Sequence, residues 1–261
     1  MLRATIILFT FHLWRLCLSH RLLVCLGVSA LPVAAAYFIK TISSYTGPPP
    51  AVELAWFLIV QFVVPVLALI LGSAVVAEEV EDRTITYLFT RPIPRMTILL
   101  GRWLASLVIL CSLLLACVLL TVQFLGESAA GDHEHALPAG SVAALCQVAV
   151  AGGIVYSALF AACGALVRRP IILGLGYTFA VEAFLGNLPG KNQALTIQYY
   201  LRSYLCGQSD AILARMQQLT DGPNVAMATA NDALATLVYV LVTALVVGCW
   251  TISRRQYVLT S

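Results

Sequence analysis

The chain has 261 residues, of which 61% are hydrophobic and only 10% charged, with a formal net charge of +3 and a mean hydropathy of +0.92. Soluble domains carry about 25% charged residues, so a water-soluble fold has no means of hiding this much apolar surface, whereas a bilayer has. The Lys and Arg residues are dispersed and form no basic run, which argues against a nucleic-acid partner.

In chain order, Leu2 to Ser19 is apolar with isolated polar positions. His12, Arg15 and Ser19 recur at three- and four-residue spacing, which puts them on one helical face. The segment reads as an amphipathic helix lying on the membrane surface; the other reading is a ragged start to the first span. Arg15 and Arg21 interrupt the apolar stretch and no small-residue cleavage site follows, so no cleavable signal peptide is expected. Spans follow at about 22–39, 54–77, 103–125, 141–167, 171–188 and 233–252, most of them near the roughly 20 residues that a bilayer crossing needs. Pro32 is expected to kink the first and Pro65 lies inside the second. Gly47-Pro48-Pro49-Pro50 between them is too rigid and donor-poor for hydrocarbon. The fifth span comes to about 27 Å against a hydrocarbon core of about 30 Å, so a complete span and a re-entrant or broken one are both open. A 46-residue loop, Asn187 to Asp232, follows it, with a short interfacial helix expected over about Asp210 to Leu219. The whole is an all-α integral membrane protein of six transmembrane helices, read as one transmembrane domain over residues 1–261.

Charge sets the orientation. Arg3, Arg15, Arg21, Arg83, Arg91, Arg95, Arg102, Arg168, Arg169, Arg254 and Arg255 fall on one side of this layout. Lys40, Lys191, Arg202 and Arg215 fall on the other. The positive-inside rule turns that split of 11 against 4 into cytoplasmic termini and a cytoplasmic loop after the second span. The expected location is the inner cell membrane, multi-pass.

Gly153, Ser157, Ala161 and Ala165 recur every four residues in the fourth span, a stripe that lets another helix approach closely. The stripe leaves open whether that helix belongs to this chain or to a second copy. Glu182 is a carboxylate in an apolar span, at an insertion cost of about 2.5–3.5 kcal/mol if central. It reads either as a pathway or gate contact or as a buried structural hydrogen-bonding group; no cation in the spans pairs with it, and Gln61 and Gln123 are the neutral partners on offer. Eight cysteines form no C-x-x-C, and five of them lie in apolar runs, as small hydrophobes do. Asp132-His133-Glu134-His135 carries groups that bind transition metals, but alternation in an acidic loop equally describes an exposed polar segment.

The segment from Glu78 to Arg95 is the most informative. Glu78, Glu79, Glu81 and Asp82 lead into a short apolar stretch with Ile85, Leu88 and Phe89, and Pro92 and Pro94 then stop any helix. Acidic residues suit the start of a short helix. The segment is either a short docking helix or a solvated loop whose charges keep it out of lipid.

These residues resemble the intracellular loop of type-2 ATP-binding-cassette (ABC) transporter permeases. The matching positions are Glu78, Glu79, Asp82, Arg83-Thr84, Leu88, Pro92-Ile93-Pro94-Arg95 and Gly101-Arg102 opening the next span. Glu182, Leu188-Pro189-Gly190 and Tyr199-Tyr200-Leu201-Arg202 are similar to the branch that includes permeases of multicopper-enzyme maturation. The resemblance implies a membrane permease subunit, working in export, whose loop is a cytoplasmic coupling helix. Glu78, Glu79, Asp82, Arg83, Thr84, Leu88, Phe89, Pro92 and Arg95 would contact a separate cytoplasmic ABC ATPase subunit. It further implies a second permease copy, identical or paralogous, and a lipid surround. The chain has no ATPase site of its own, since Gly190-Lys191 lacks the upstream Gly and following Ser or Thr of a phosphate loop. No residue pattern marks a catalytic group or a cofactor: His-Glu-x-x-His and Gly-x-Ser-x-Gly are both missing, which disfavours an intramembrane enzyme. A non-transporting anchor or mechanical-signal subunit on the same fold remains the alternative.

Overall fold

In lipid, a backbone can satisfy its N–H and C=O groups only within one helix or around a closed barrel, and this chain takes the first route. A computed structural model describes residues 2–42, 54–81, 95–126, 140–167, 169–186, 191–208, 212–214 and 227–254. Every element among them is helical. Helix α1 is Leu2–Cys17 and α2 is His20–Ile42, with Pro32 inside it. A π-helical segment, Ala55–Val63, runs into α3, Val64–Glu81. Helix α4 is Arg95–Gly126 and α5 is Ser141–Leu166, which begins after Gly140 in the left-handed conformation at φ 87°. Helix α6, Pro170–Gly176, continues as a second π-helical segment, Tyr177–Leu185. After a 3-10 turn, Lys191–Leu195, come α7, Ile197–Cys206, and α8, Ala230–Arg254.

Among the described residues, five helical segments are long and apolar enough to cross a membrane: His20–Ile39, Ala55–Val75, Met96–Phe124, Ser141–Leu166 and Ala230–Arg254. A sixth segment, α6 with its π-helical extension and corresponding to the expected fifth span, is shorter in its apolar part, Pro170–Glu182, about 20 Å at 1.5 Å per residue. Exposed Leu23, Val24, Leu31 and Phe38 of α2, Ile171, Ile172 and Phe179 of the sixth segment, and Tyr239, Val242 and Val246 of α8 give the bundle an apolar outside, as lipid-facing surfaces require.

Helix α5 is the hub. A Cβ on Gly72 of α3 would lie 2.7 Å from the Ser157 carbonyl oxygen of α5, and one on Gly164 of α5 would lie 3.0 Å from the Ser73 carbonyl oxygen. The α3 and α5 backbones therefore touch at two places along their length, which only small residues permit. Gly153 faces Leu114 and Leu110 of α4, and Gly248 of α8 faces Ala162. Ser157 Oγ accepts from Trp103 Nε1 of α4 at 3.2 Å and donates to the Ile154 carbonyl. Ala161 and Ala165 are buried with Val75, Leu99, Trp103 and Ile252 in a small core at one end of the bundle. The stripe of small residues is thus occupied by helices of the same chain.

Two expectations need correction. Helix α3 runs on through Glu81, so Glu78, Glu79 and Glu81 form its last turn and do not open a new helix. No Gly or Pro separates Ala77 from Glu81, so nothing in the chain stops the helix at the membrane edge. The long loop after the fifth span also contains a helix, α7, that the hydropathy did not reveal. Gln198, Arg202 and Ser203 dilute its hydropathy, yet Ile197, Leu201 and Leu205 repeat every four residues and are all buried.

Pro65 stands just past the first π-helical segment. It has no N–H to donate and its ring crowds the carbonyl four residues back, at Gln61; a widened turn upstream relieves that clash. Nothing in the local sequence explains the second π-helical segment.

Candidate functional site

The two π-helical segments meet at the N-terminus of α7. A helix start presents N–H groups without partners, and here each of the first three is met. Glu182, only 2% exposed, accepts from the Ile197 N–H through Oε1 and from the Gln198 N–H through Oε2, both at 3.1 Å. Thr196 Oγ1 accepts from the Tyr199 N–H at 3.2 Å and donates to the Gln193 carbonyl at 2.8 Å. Tyr177 Oη donates to Glu182 Oε1 at 2.8 Å. The Gln198 side chain donates through Nε2 to the Val60 carbonyl at 3.2 Å, inside the first π-helical segment.

Glu182 therefore acts as a remote cap. Its negative charge sits at the positive end of the α7 dipole, where an anion is favoured, and it ties the sixth segment to α7. Gln61 and Gln123 are not its partners. Tyr156 is fully buried beside Glu182 and Gln198, although its hydroxyl makes no hydrogen bond of ordinary geometry.

A second buried polar group joins α1 to α4. His12 is 3% exposed and Arg102 4%. Arg102 Nε donates to His12 Nδ1 at 3.3 Å, and His12 Nε2 lies 3.4 Å from Ser106 Oγ. With Nδ1 accepting, the ring proton is on Nε2 and faces Ser106. Burial first, then the charges of Arg102, Arg15 and Arg21, hold the His12 pKa down at about 3. The ring is neutral at physiological pH, as an acceptor for Arg102 must be. In the sequence His12 lies on a polar face and Arg102 in the Gly-Arg that opens a span, but 90 residues separate the pair and no local pattern links them.

The loop expected to dock on a partner leaves α3 at Glu81 and re-enters α4 at Arg95. Asp82, Arg83, Thr84, Leu88, Phe89 and Pro92 lie outside the described residues, as does the His133/His135 loop. Of the interfacial helix expected near Asp210 to Leu219, Ile212, Leu213 and Ala214 are described and helical. The two stems of the docking loop are held together, because Val75 of α3 shares the small core with Leu99 and Trp103 of α4. The same end of the bundle holds Arg102, bonded to α1, and the end of α8, where Arg254 stands 5.0 Å from the Trp250 ring.

A family model described as ABC-2 family transporter protein matches residues 4–256. No curated protein matches the chain.

Proposed function

The chain belongs to the ABC-2 transporter family, and from that membership we propose that it is a permease subunit that exports a substrate using ATP hydrolysed by a separate cytoplasmic polypeptide. The family match over residues 4–256 is the observation that carries this reading. Family membership makes it a multi-pass membrane component that associates with an ATP-binding subunit. The finer assignments are ours. The permease domain fills the chain and pairs with a second copy, identical or paralogous, in the inner membrane. Six crossings place both termini in the cytoplasm, with α6, its π-helical extension and α7 together completing the fifth. The resemblance around Glu182 and Tyr199 to Arg202 supports the branch associated with multicopper-enzyme maturation.

The loop from Glu78 to Arg95 is the coupling element. Physically, a docking loop needs a shallow apolar anchor, which Leu88 and Phe89 supply, and charges that set its register, which Glu79, Asp82 and Arg83 supply. Its joined stems support this role: a push on the loop is delivered to α3 and α4 together, and through Arg102 to α1. Removing a buried interface anchor commonly costs more than about 1–2 kcal/mol, while rim charges cost less. Leu88→Asp should therefore release the ATPase subunit from the purified complex without lowering the thermal stability of the permease alone. Charge reversal at Glu78 or Glu81 should leave the complex intact. Full retention of the ATPase by Leu88→Asp would reduce the segment to a solvated connector.

A further inference from the structure

Among the described residues, Arg202 is a cation without a counterion. It lies on α7, half-buried, and a guanidinium stays charged at any physiological pH. Its Nη2 donates to Gln193 Oε1 at 2.7 Å, a neutral partner. Its Nε is buried and makes no hydrogen bond. Among the described residues no carboxylate stands against it. Gln193 is itself 9% exposed, and Thr196 anchors its backbone, because the Thr196 N–H and hydroxyl both donate to the Gln193 main-chain carbonyl. Ser203, next in sequence, accepts from the Ala228 N–H at 3.3 Å, two residues ahead of α8. That contact sets Arg202 level with the start of α8, at the extracytoplasmic mouth of the bundle. Tyr199 and Tyr200 stack edge to face beside it with ring centroids 5.2 Å apart, and amphipathic rings of this kind favour the headgroup level. A partly desolvated charge needs an opposite charge and acceptors for its N–H groups; the described residues supply the Gln193 acceptor but no opposite charge, and they leave Nε without an acceptor.

We propose that Arg202 is the anchor of a binding site for a phosphate-type anion at the extracytoplasmic mouth, with Gln193 as its positioning residue. The anion is either a phospholipid headgroup or a free phosphate. The placement outside rests on the orientation proposed above, but the test does not need the ATPase. The detergent-purified full chain is titrated with short-chain phosphatidylglycerol, with inorganic phosphate and with the matching diacylglycerol, which lacks the phosphate. Wild type should bind phosphatidylglycerol and not the diacylglycerol. Arg202→Gln should weaken that binding at least about tenfold, the usual consequence of losing charged hydrogen bonds. Arg202→Lys keeps the charge but loses the fork and should fall between; it serves as the folded comparison if the Gln variant is unstable. Competition by inorganic phosphate identifies a free-anion site, and its absence a lipid site. Equal phosphatidylglycerol and phosphate binding by wild type and both variants, or no anion binding by wild type, would overturn the proposal. Either result leaves the ATPase-coupling reading standing, because that reading fails only in the co-purification experiment.

Discussion

Three hydrogen bonds converge on the Glu182 carboxylate, and two of them come from the backbone of the first turn of α7. An apolar side chain at this position would strand both N–H groups, at about 1–3 kcal/mol each. Glu182→Leu should thus lower the thermal unfolding midpoint of the detergent-solubilised chain and its folded yield. Glu182→Gln retains an acceptor for Tyr177 and Ile197 but turns its amide toward the Gln198 N–H, so its loss should be smaller. Equal midpoints for the two variants would mean that capping is not what the carboxylate contributes. The sequence marks Glu182 plainly, as a carboxylate in an apolar run. Its partners are not legible, because they lie on a helix whose polar positions lower its hydropathy and on the backbone, which no side-chain pattern reports. His12 and Arg102 are a similar case: each is visible, but their pairing is tertiary.

At the scale of helices, hydropathy is a strong guide wherever a segment is long and uniformly apolar. It identifies α2, α3, α4, α5 and α8 because each is uniformly apolar over a length that can be buried in protein or face lipid. It fails for α7, which is short and stable only because Ile197, Leu201 and Leu205 insert into the core. The small-residue stripe of α5 is visible in sequence, whereas its partners are not; Gly72 and Ser73 of α3 meet it through backbone contact. That contact gives a direct test. Gly72→Val would place a Cβ 2.7 Å from the Ser157 oxygen, and overpacking of this kind costs about 1–3 kcal/mol. Gly27→Ala on α2 meets nothing within 4 Å and is the matched control. The first variant should unfold at a lower temperature in detergent while the second does not. An unchanged midpoint for Gly72→Val would show that α3 and α5 are not in backbone contact.

For the molecule as a whole, the arrangement joins the two ends of the bundle by different means. At the end proposed to face the cytoplasm, the stems of the proposed coupling loop share a core with α8, and Arg102 fastens α4 to α1. At the other end, Glu182, Gln198 and Thr196 hold the sixth segment, the first π-helical segment and α7 together. The measurement that bears most directly on this account is purification of the tagged full chain from native membranes in mild detergent, with identification of what accompanies it. The account predicts a stoichiometric second polypeptide carrying a phosphate-loop ATPase sequence, and ATP hydrolysis confined to fractions that contain it. A chain recovered without any ATPase, or one that hydrolyses ATP when free of other polypeptides, would contradict it.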